Sequence, residues 1–348
     1  MRASDLDYDL DPELIAQAPL PERDGARLLW MQRERESVEH RQIRELPGLL
    51  ARALFVVNDT KVIPARLFAH KASGGRAEIL LVEKLVEGHG EQRWFTLGKA
   101  SKGLRVGTVL QVPDSPLTIT IEDARGEGGL EVTLRAASGV AAEIARHGHM
   151  PLPPYIRRAD DVHDTTRYQT VFAAHEGAVA APPAGLHLSE ALLAQLHAHG
   201  HALAQLTLHV GPGTFAPLRS EELADHPMHQ ERYIVPPATA DAIARAKGEG
   251  RPVVAVGTTV VRTLEAAADE HGAVRAGAGR TSIFIYPPFR FRVVDALLTN
   301  FHLPRSTLLA LVMAFGGTTA VRHAYAQAVA ARYRFFSYGD AMLITGAP

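Results

Sequence analysis

Three segments of the chain carry a histidine behind an apolar run, with Pro, Gly or a hydroxyl residue close after it. They are Ala184-Gly-Leu-His187-Leu-Ser189, Leu206-Thr-Leu-His209-Val-Gly-Pro-Gly213 and Leu298-Thr-Asn-Phe-His302-Leu-Pro-Arg-Ser306. Imidazole titrates near neutrality, so it can take a proton from a reacting group or give one to it. Apolar runs with such breaks read as buried strands and their ends, where α/β folds build pockets. A single histidine there is unremarkable. Three in one half of the chain point to one polar cleft and to an enzyme.

A second constellation is Val253-Val-Ala-Val-Gly257-Thr258-Thr259-Val-Val-Arg262, which reads as strand, turn and helix. The free N–H groups at such a helix start attract anions. Thr258 and Thr259 add hydroxyls, and Arg262 adds a forked cation. The P-loop spacing is absent, and the plainer reading is a capped helix with a surface Arg. Gly211-Pro-Gly213-Thr-Phe215 is a weak nucleotide-loop signal, better read as a turn. Arg332-Tyr-Arg-Phe-Phe-Ser-Tyr-Gly339-Asp340 mixes cations, aromatic rings and one carboxylate, a base-stacking surface or core aromatics beside a turn.

Metal ligation is the weaker use of these imidazoles. His197, His199 and His201 straddle a helix end and lack the i,i+4 spacing of a zinc helix, so they read as a solvated terminus. His226 and His229, which flank Pro227 and Met228, lack an accompanying carboxylate triad, and a site of His187, His209 and His302 ranks below proton transfer. No metal and no resident cofactor is expected.

Positioning these groups requires an alternation of strand and helix. Leu28–Met31, Leu54–Val57, Leu203–Val210, Val253–Val256, Ser282–Tyr286 and Val293–Leu298 read as strands. Asp11-Pro12 opens a short helix, Ser189 caps one that ends near Gly200, and helices are expected over 239–247, 306–315 and 318–331. This alternation argues for a largely parallel sheet. Between Ala65 and Ala136 the pattern is instead β-rich, with a hairpin signal at Gly126-Glu-Gly-Gly129. The division expected is a discontinuous α/β domain, 1–64 and 137–348, around an inserted β domain, 65–136.

Composition narrows the class. The 348 residues are 46% hydrophobic and 22% charged, with a formal net charge of −1. No stretch approaches the roughly 20 apolar residues of a membrane span, and the polar N-terminus is unlike a secretory signal. The absence of cysteine excludes disulfides and thiolate chemistry, and it fits a cytoplasmic location. A near-neutral chain does not coat nucleic acid, but a local patch such as Arg157-Arg158 or Lys99, Lys102 and Arg105 is enough to grip RNA.

Several long motifs then coincide. Val57-Asn-Asp-Thr-Lys-Val-Ile-Pro-Ala-Arg66, Gly148-His-Met-Pro-Leu-Pro-Pro-Tyr-Ile156, Arg167-Tyr-Gln-Thr-Val171, Gly177 to His187, Leu208-His-Val-Gly, Ala255-Val-Gly-Thr-Thr, Asp295 to Leu309 and Tyr333 to Met342 occur in this order. With them the chain resembles the S-adenosylmethionine:tRNA ribosyltransferase-isomerases of queuosine biosynthesis over nearly its whole length. The resemblance implies a mixed α/β domain interlocked with a smaller β-barrel-like domain. It implies transfer and isomerisation of the ribosyl part of S-adenosylmethionine, a cosubstrate, onto an aminomethyl-deazaguanine at the tRNA wobble position, with adenine and methionine released. The expected partner is that tRNA, and the expected state a monomer. His187, His209, His302 and Asp340 become the catalytic candidates. Asp59, Arg66, Tyr155, Arg167, Gln169, Thr258, Thr259 and Arg262 become the substrate-binding ones. The chain departs from the family in Pro182-Pro183, where Thr is usual at the second position, in Tyr286-Pro-Pro288, and in a looser Leu97–Lys102. The readings set beside this one are a non-catalytic RNA-binding protein, a His-metal hydrolase and a methyltransferase.

Overall fold

The computed structural model describes residues 1–35, 37–126, 128–211, 218, 220–228 and 230–346. Short 3₁₀ turns at Ala3–Leu6, at Pro12–Leu14, where the Asp11 carboxylate caps the turn, and at Arg23–Gly25 lead into β1 (Arg27–Gln32) and β2 (Ser37–Gln42). The turn α1 (Leu46–Leu49) precedes β3 (Leu54–Asn58), whose five residues are all buried. β4 (Thr60–Val62) leads into six strands: β5 (Arg66–Lys71), β6 (Arg76–Val86), β7 (Glu91–Ala100), β8 (Val109–Gln111), β9 (Thr118–Arg125) and β10 (Gly129–Arg135). After α2 (Val140–His147) and α3 (Asp164–Arg167), β11 (His175–Ala178) pairs parallel to β4.

The remainder alternates. α4 (Glu190–Ala198), β12 (Ala202–Leu208), β13 (Glu231–Val235), α5 (Pro237–Gly248), β14 (Val253–Val256) and α6 (Thr258–Ala267) come first. β15 (Gly277–Thr281), β16 (Ala296–Asn300), α7 (Thr307–Gly316), α8 (Thr318–Ala330) and β17 (Ala341–Thr345) follow.

Among the described residues, nine strands form one sheet in the order β15-β13-β12-β3-β14-β16-β17-β1-β2. The centre, β12-β3-β14-β16, is parallel. Both flanks bring antiparallel pairs, β12 with β13 and β16 with β17. The sheet is therefore mixed rather than largely parallel. Alternation along β3 sets its two faces. Leu54 and Val56 pack with α6, α7 and α8, while Phe55 and Val57 pack with α4 through Leu192 and Leu196.

The strands β10-β7-β6-β5-β8-β9 close into an antiparallel barrel, which leaves no open edge. Leu67, Ile79, Leu81, Ile119, Ile121, Val132 and Leu134 fill it, with α2 covering one end through Val140 and Ile144. Gly98 in β7 makes room for the packed barrel interior, because a Cβ there would lie 2.3 Å from Leu130 Cδ1 and force that side chain to move. Two links fasten the segment after the barrel back to the strands at its entrance, β4 and β5. Gln169 bonds both the N–H and the C=O of Val62, at 2.9 and 2.8 Å, and the main chains of Arg66 and His149 exchange bonds of 3.1 and 2.8 Å.

Two strand expectations fail for local reasons. Residues 282–286 are not a strand. The Thr281 hydroxyl accepts the Ile283 N–H at 3.1 Å and turns the chain. Val293 and Val294 stay outside β16 because the Glu265 carboxylate takes both their N–H groups, at 3.1 Å.

Candidate functional site

The four parallel strands all end on one edge of the sheet, and the chemistry-bearing residues follow those ends. Asp59 and Thr60 leave β3, His209 leaves β12, Thr258 and Thr259 leave β14, and His302 leaves β16. From β3 the chain crosses to β12 with α4 on one face. From β14 it crosses to β16 with α6 on the other. The order therefore reverses between β3 and β14, the place where open α/β sheets hold ligands in the crevice beyond the strand ends.

A small hollow lies beyond β12, β14 and β16, lined by Val210, Thr258, Thr259, Asn300, His302 and Ser337. Gly257 opens α6 at φ 100°, a conformation suited to glycine, and no side chain caps the helix start. Thr259 Oγ1 and Asn300 Oδ1 are buried without a hydrogen-bond partner. Such atoms are rare in a finished interior and mark a place where a ligand or water completes the set. His302 Nε2 sits 2.9 Å from Thr299 Oγ1, and burial holds the ring down to about 3, so it is neutral.

His187 does not end a strand. Pro182 and Pro183 lack N–H donors, and the segment Pro183–His187 is a 3₁₀ turn beneath the sheet. Asn300 Nδ2 donates to the Phe336 carbonyl at 2.9 Å and to His187 Nε2 at 3.2 Å. The His187 proton is therefore on Nδ1. Burial holds this ring down to about 4, with the Asp340 charge pulling the other way.

His209 faces a different space, a cleft of about 660 Å³ between barrel and sheet, which Gln169, Asp160, Met150 and Gly177 also line. Its Nδ1 lies 2.9 Å from Thr60 Oγ1. Burial, then the neighbouring His175, lowers its pKa. Lys61, Lys84, Arg232 and Arg280 line the cleft as cations. Glu176 pairs with Lys61 at 2.9 Å, and Glu83 with Arg232. The three histidines thus do not share one wall. His209 opens on the cleft, His302 on the hollow, and His187 on a third recess beside Arg23 and Arg167. Val210 and Gly211, consecutive residues, line the hollow and the cleft respectively, so these two spaces adjoin.

The other sequence candidates are tied into the framework. Asp340 is buried and accepts from Arg27 N, Nε and Nη2 at 2.9, 3.1 and 3.0 Å and from Arg334 N at 2.8 Å. Asp59 accepts from Thr207 Oγ1 at 2.7 Å. Arg66 donates to the Leu152 carbonyl at 2.7 Å and lies 3.3 Å from Glu78. Arg167 donates to the carbonyls of Pro21 and Leu20 at 3.0 and 2.5 Å. The Tyr155 hydroxyl bonds Ser337, and its ring packs edge-on against Phe336 at 3.9 Å. Arg262 is not on the surface. It is 3% exposed and ion-paired with Glu231.

His201 is no solvated terminus either. It is buried, accepting the Ala53 N–H at 3.1 Å and lying 3.0 Å from the Pro47 carbonyl. Gly213, Phe215 and His229 lie outside the described residues. Among the described residues no group of three or more His, Asp or Glu is arranged to hold a metal ion, and no helix is long and apolar enough to cross a membrane. Asn300, Thr60 and Glu231 were missed by sequence reasoning. Asn300 stood inside a quoted motif, but nothing in its spacing marked it.

The chain matches the family of queuosine biosynthesis proteins over residues 3–344. It is 55% identical over 349 residues to the S-adenosylmethionine:tRNA ribosyltransferase-isomerase of Anaeromyxobacter sp. (strain Fw109-5), with 100% of both chains covered. It is 50% identical over 345 residues to the protein of that name from Geobacter sulfurreducens, covering 99% of this chain and 100% of that one. Among solved structures it is similar to the S-adenosylmethionine tRNA ribosyltransferase of Thermotoga maritima. The identity is 36%, the TM-score 0.55, and the match covers 98% of this chain and 99% of that one.

Proposed function

Because this chain belongs to the queuosine biosynthesis protein family and is a transferase of the S-adenosylmethionine:tRNA ribosyltransferase-isomerase class, we propose that its acceptor is 7-aminomethyl-7-deazaguanine at the tRNA wobble position. The ribosyl part of S-adenosylmethionine moves onto the aminomethyl group and is isomerised. The products are epoxyqueuosine-tRNA, adenine and methionine. S-adenosylmethionine is consumed as a substrate and is not a resident cofactor.

One observation carries this reading: polar groups from β3, β12, β14 and β16 collect where the strand order reverses, and two of them are buried without partners. The bulk of the nucleoside takes the cleft, and one polar edge reaches the adjoining hollow of about 30 Å³ at the start of α6, where Thr259 and Asn300 offer oxygens and His302 a neutral ring. The acceptor base and its phosphates take the cleft, whose cations can trade their carboxylate partners for phosphate.

The chemistry sets three demands. A base must remove a proton from the ribose methylene beside the sulfonium, adenine must leave, and the acceptor amine must attack unprotonated. His209 answers the first. It is neutral at physiological pH, its Nδ1 is engaged by Thr60, and it faces the cleft beside the hollow. His302 is assigned to the nucleoside as a hydrogen-bonding partner. His187 and Asp340, both enclosed, act as positioning residues, the former through Asn300.

The test is incubation with S-adenosylmethionine and an anticodon stem-loop bearing the modified base, followed by mass spectrometry of the RNA. The expected result is a ribosyl-sized gain in RNA mass, with free adenine and methionine. S-adenosylhomocysteine as product indicates a methyltransferase, and RNA binding without turnover indicates a binding protein. His209→Ala is expected to slow adenine release by about 10²–10⁴-fold. A near-wild-type rate removes His209 as the base.

A further inference from the structure

Arg262 is a buried guanidinium with one nitrogen left unpartnered. Its Nε donates to the Ile283 carbonyl at 3.3 Å, and Nη1 is ion-paired with Glu231. Nη2 is buried and has no hydrogen-bond partner. Burying a charged donor unsatisfied costs more than a typical hydrogen bond returns, so a site kept in this state is prepared for an acceptor. Arg262 lines a cavity of about 20 Å³ together with Met228, Phe284, Thr307 and Leu308. That is room for one small polar group and not for a whole amino acid.

The neighbours of this cavity say how such a group arrives. Leu308 lines both the cavity and the hollow at the start of α6. Glu231 lines both the cavity and the large cleft, and it accepts the Gly211 N–H at 3.3 Å. A ligand that reaches an edge of its sugar into the hollow has an apolar path over Leu308 to a waiting cation. The methionine half of S-adenosylmethionine has this form: a short aliphatic chain ending in a carboxylate.

Resting on the reading that S-adenosylmethionine is the substrate, we propose that Arg262 Nη2 receives its α-carboxylate and that Glu231 is a positioning residue that fixes the guanidinium for this purpose. Thr258 and Thr259, one turn earlier on α6, then serve the nucleoside rather than the carboxylate. Glu231 holds Nη1 and leaves Nη2 to the ligand, so two carboxylates share one planar cation through different nitrogens, an arrangement that the single ammonium of Lys cannot reproduce.

The probe is decarboxylated S-adenosylmethionine, which keeps the sulfonium, the adenosine and the amine. Arg262→Ala alone strands a buried Glu231 and destabilises the fold. The informative variant is therefore the neutral pair Arg262→Gln with Glu231→Gln, its folding checked by thermal melting. Equilibrium binding of both compounds is measured with and without an anticodon stem-loop bearing unmodified guanine, which lacks the acceptor amine. Wild type is expected to prefer S-adenosylmethionine by about 10- to 100-fold, the range of a charge-assisted hydrogen bond. The double variant is expected to bind the two about equally, with affinity for the decarboxylated compound nearly unchanged. If the variant keeps the wild-type preference, the carboxylate sits elsewhere and the subsite falls while the functional reading stands. If wild type binds neither compound, the functional reading falls and the subsite with it.

Discussion

Acidification gives a direct check on the two enclosed imidazoles. Burial holds His302 down to about 3 and His187 down to about 4. In the unfolded chain each titrates near about 6.5. Above that pH both states carry neutral rings and these residues add no pH dependence. Below it the unfolded chain binds protons that the folded chain refuses. Stability therefore falls as pH drops from about 6.5, and each contribution levels off only near the folded pKa. At pH 5 the gap is about 1.5 units, and at about 1.4 kcal/mol per unit each ring lowers stability by about 2 kcal/mol relative to pH 8. The assay is urea unfolding of wild type and His302→Gln at both pH values. The difference of differences cancels every other titrating group. The variant is expected to lose about 2 kcal/mol less than wild type on going to pH 5. Equal losses in the two proteins, or an NMR ring signal of His302 that titrates near 6, would refute a ring shut away from water.

Two further substitutions separate framework from site. Asp340→Asn removes the charge that holds Arg27 and Arg334, and because Arg27 is 40% exposed the cost is set at about 2 kcal/mol, below that of a fully buried pair. Thermal melting should fall by about 3 °C while the folded protein keeps kcat within about tenfold. A normal melting temperature with activity lost by more than about 10²-fold would make Asp340 a catalytic group. Thr259→Val deletes a hydroxyl whose oxygen has no partner. Calorimetry should therefore show stability unchanged or slightly raised, with S-adenosylmethionine binding weakened about 5- to 10-fold. Stability lost with binding intact would mean that the hydroxyl serves the fold alone.

How far the sequence discloses this arrangement depends on which kind of order is asked for. Period-two alternation marked β9 and β10, because buried Ile119 and Ile121 alternate with Thr118 and Thr120, and Leu130, Val132 and Leu134 with Glu131 and Thr133. Capping chemistry gave helix starts: the Ser189 and Ser306 hydroxyls accept the N–H groups of Leu192 and Leu309. Edge strands were invisible. β2 carries Ser37, Glu39, Arg41 and Gln42, and β15 reads Gly-Ala-Gly-Arg-Thr, so neither has an apolar face to announce it. Their pairing comes from neighbours distant in the chain.

The histidines show the same limit at finer scale. Each segment announces a polar ring near a break, but the wall that the ring joins depends on parity within a strand and on loop geometry. In β16, Leu298 belongs to the face packed on α4 and Leu297 to the face packed on α6 and α7. Asn300 continues the first series and meets His187. Thr299 continues the second and meets His302. Two residues adjacent in sequence thus hand two imidazoles to opposite sides of one sheet. The Asn300 side chain is the structural link between them: it holds His187 and Phe336 through its amide nitrogen and leaves its oxygen unpartnered at the hollow. Substrate filling that hollow would therefore act on His187 through Asn300 without touching it, which is why an enclosed histidine can matter to the reaction while standing outside it.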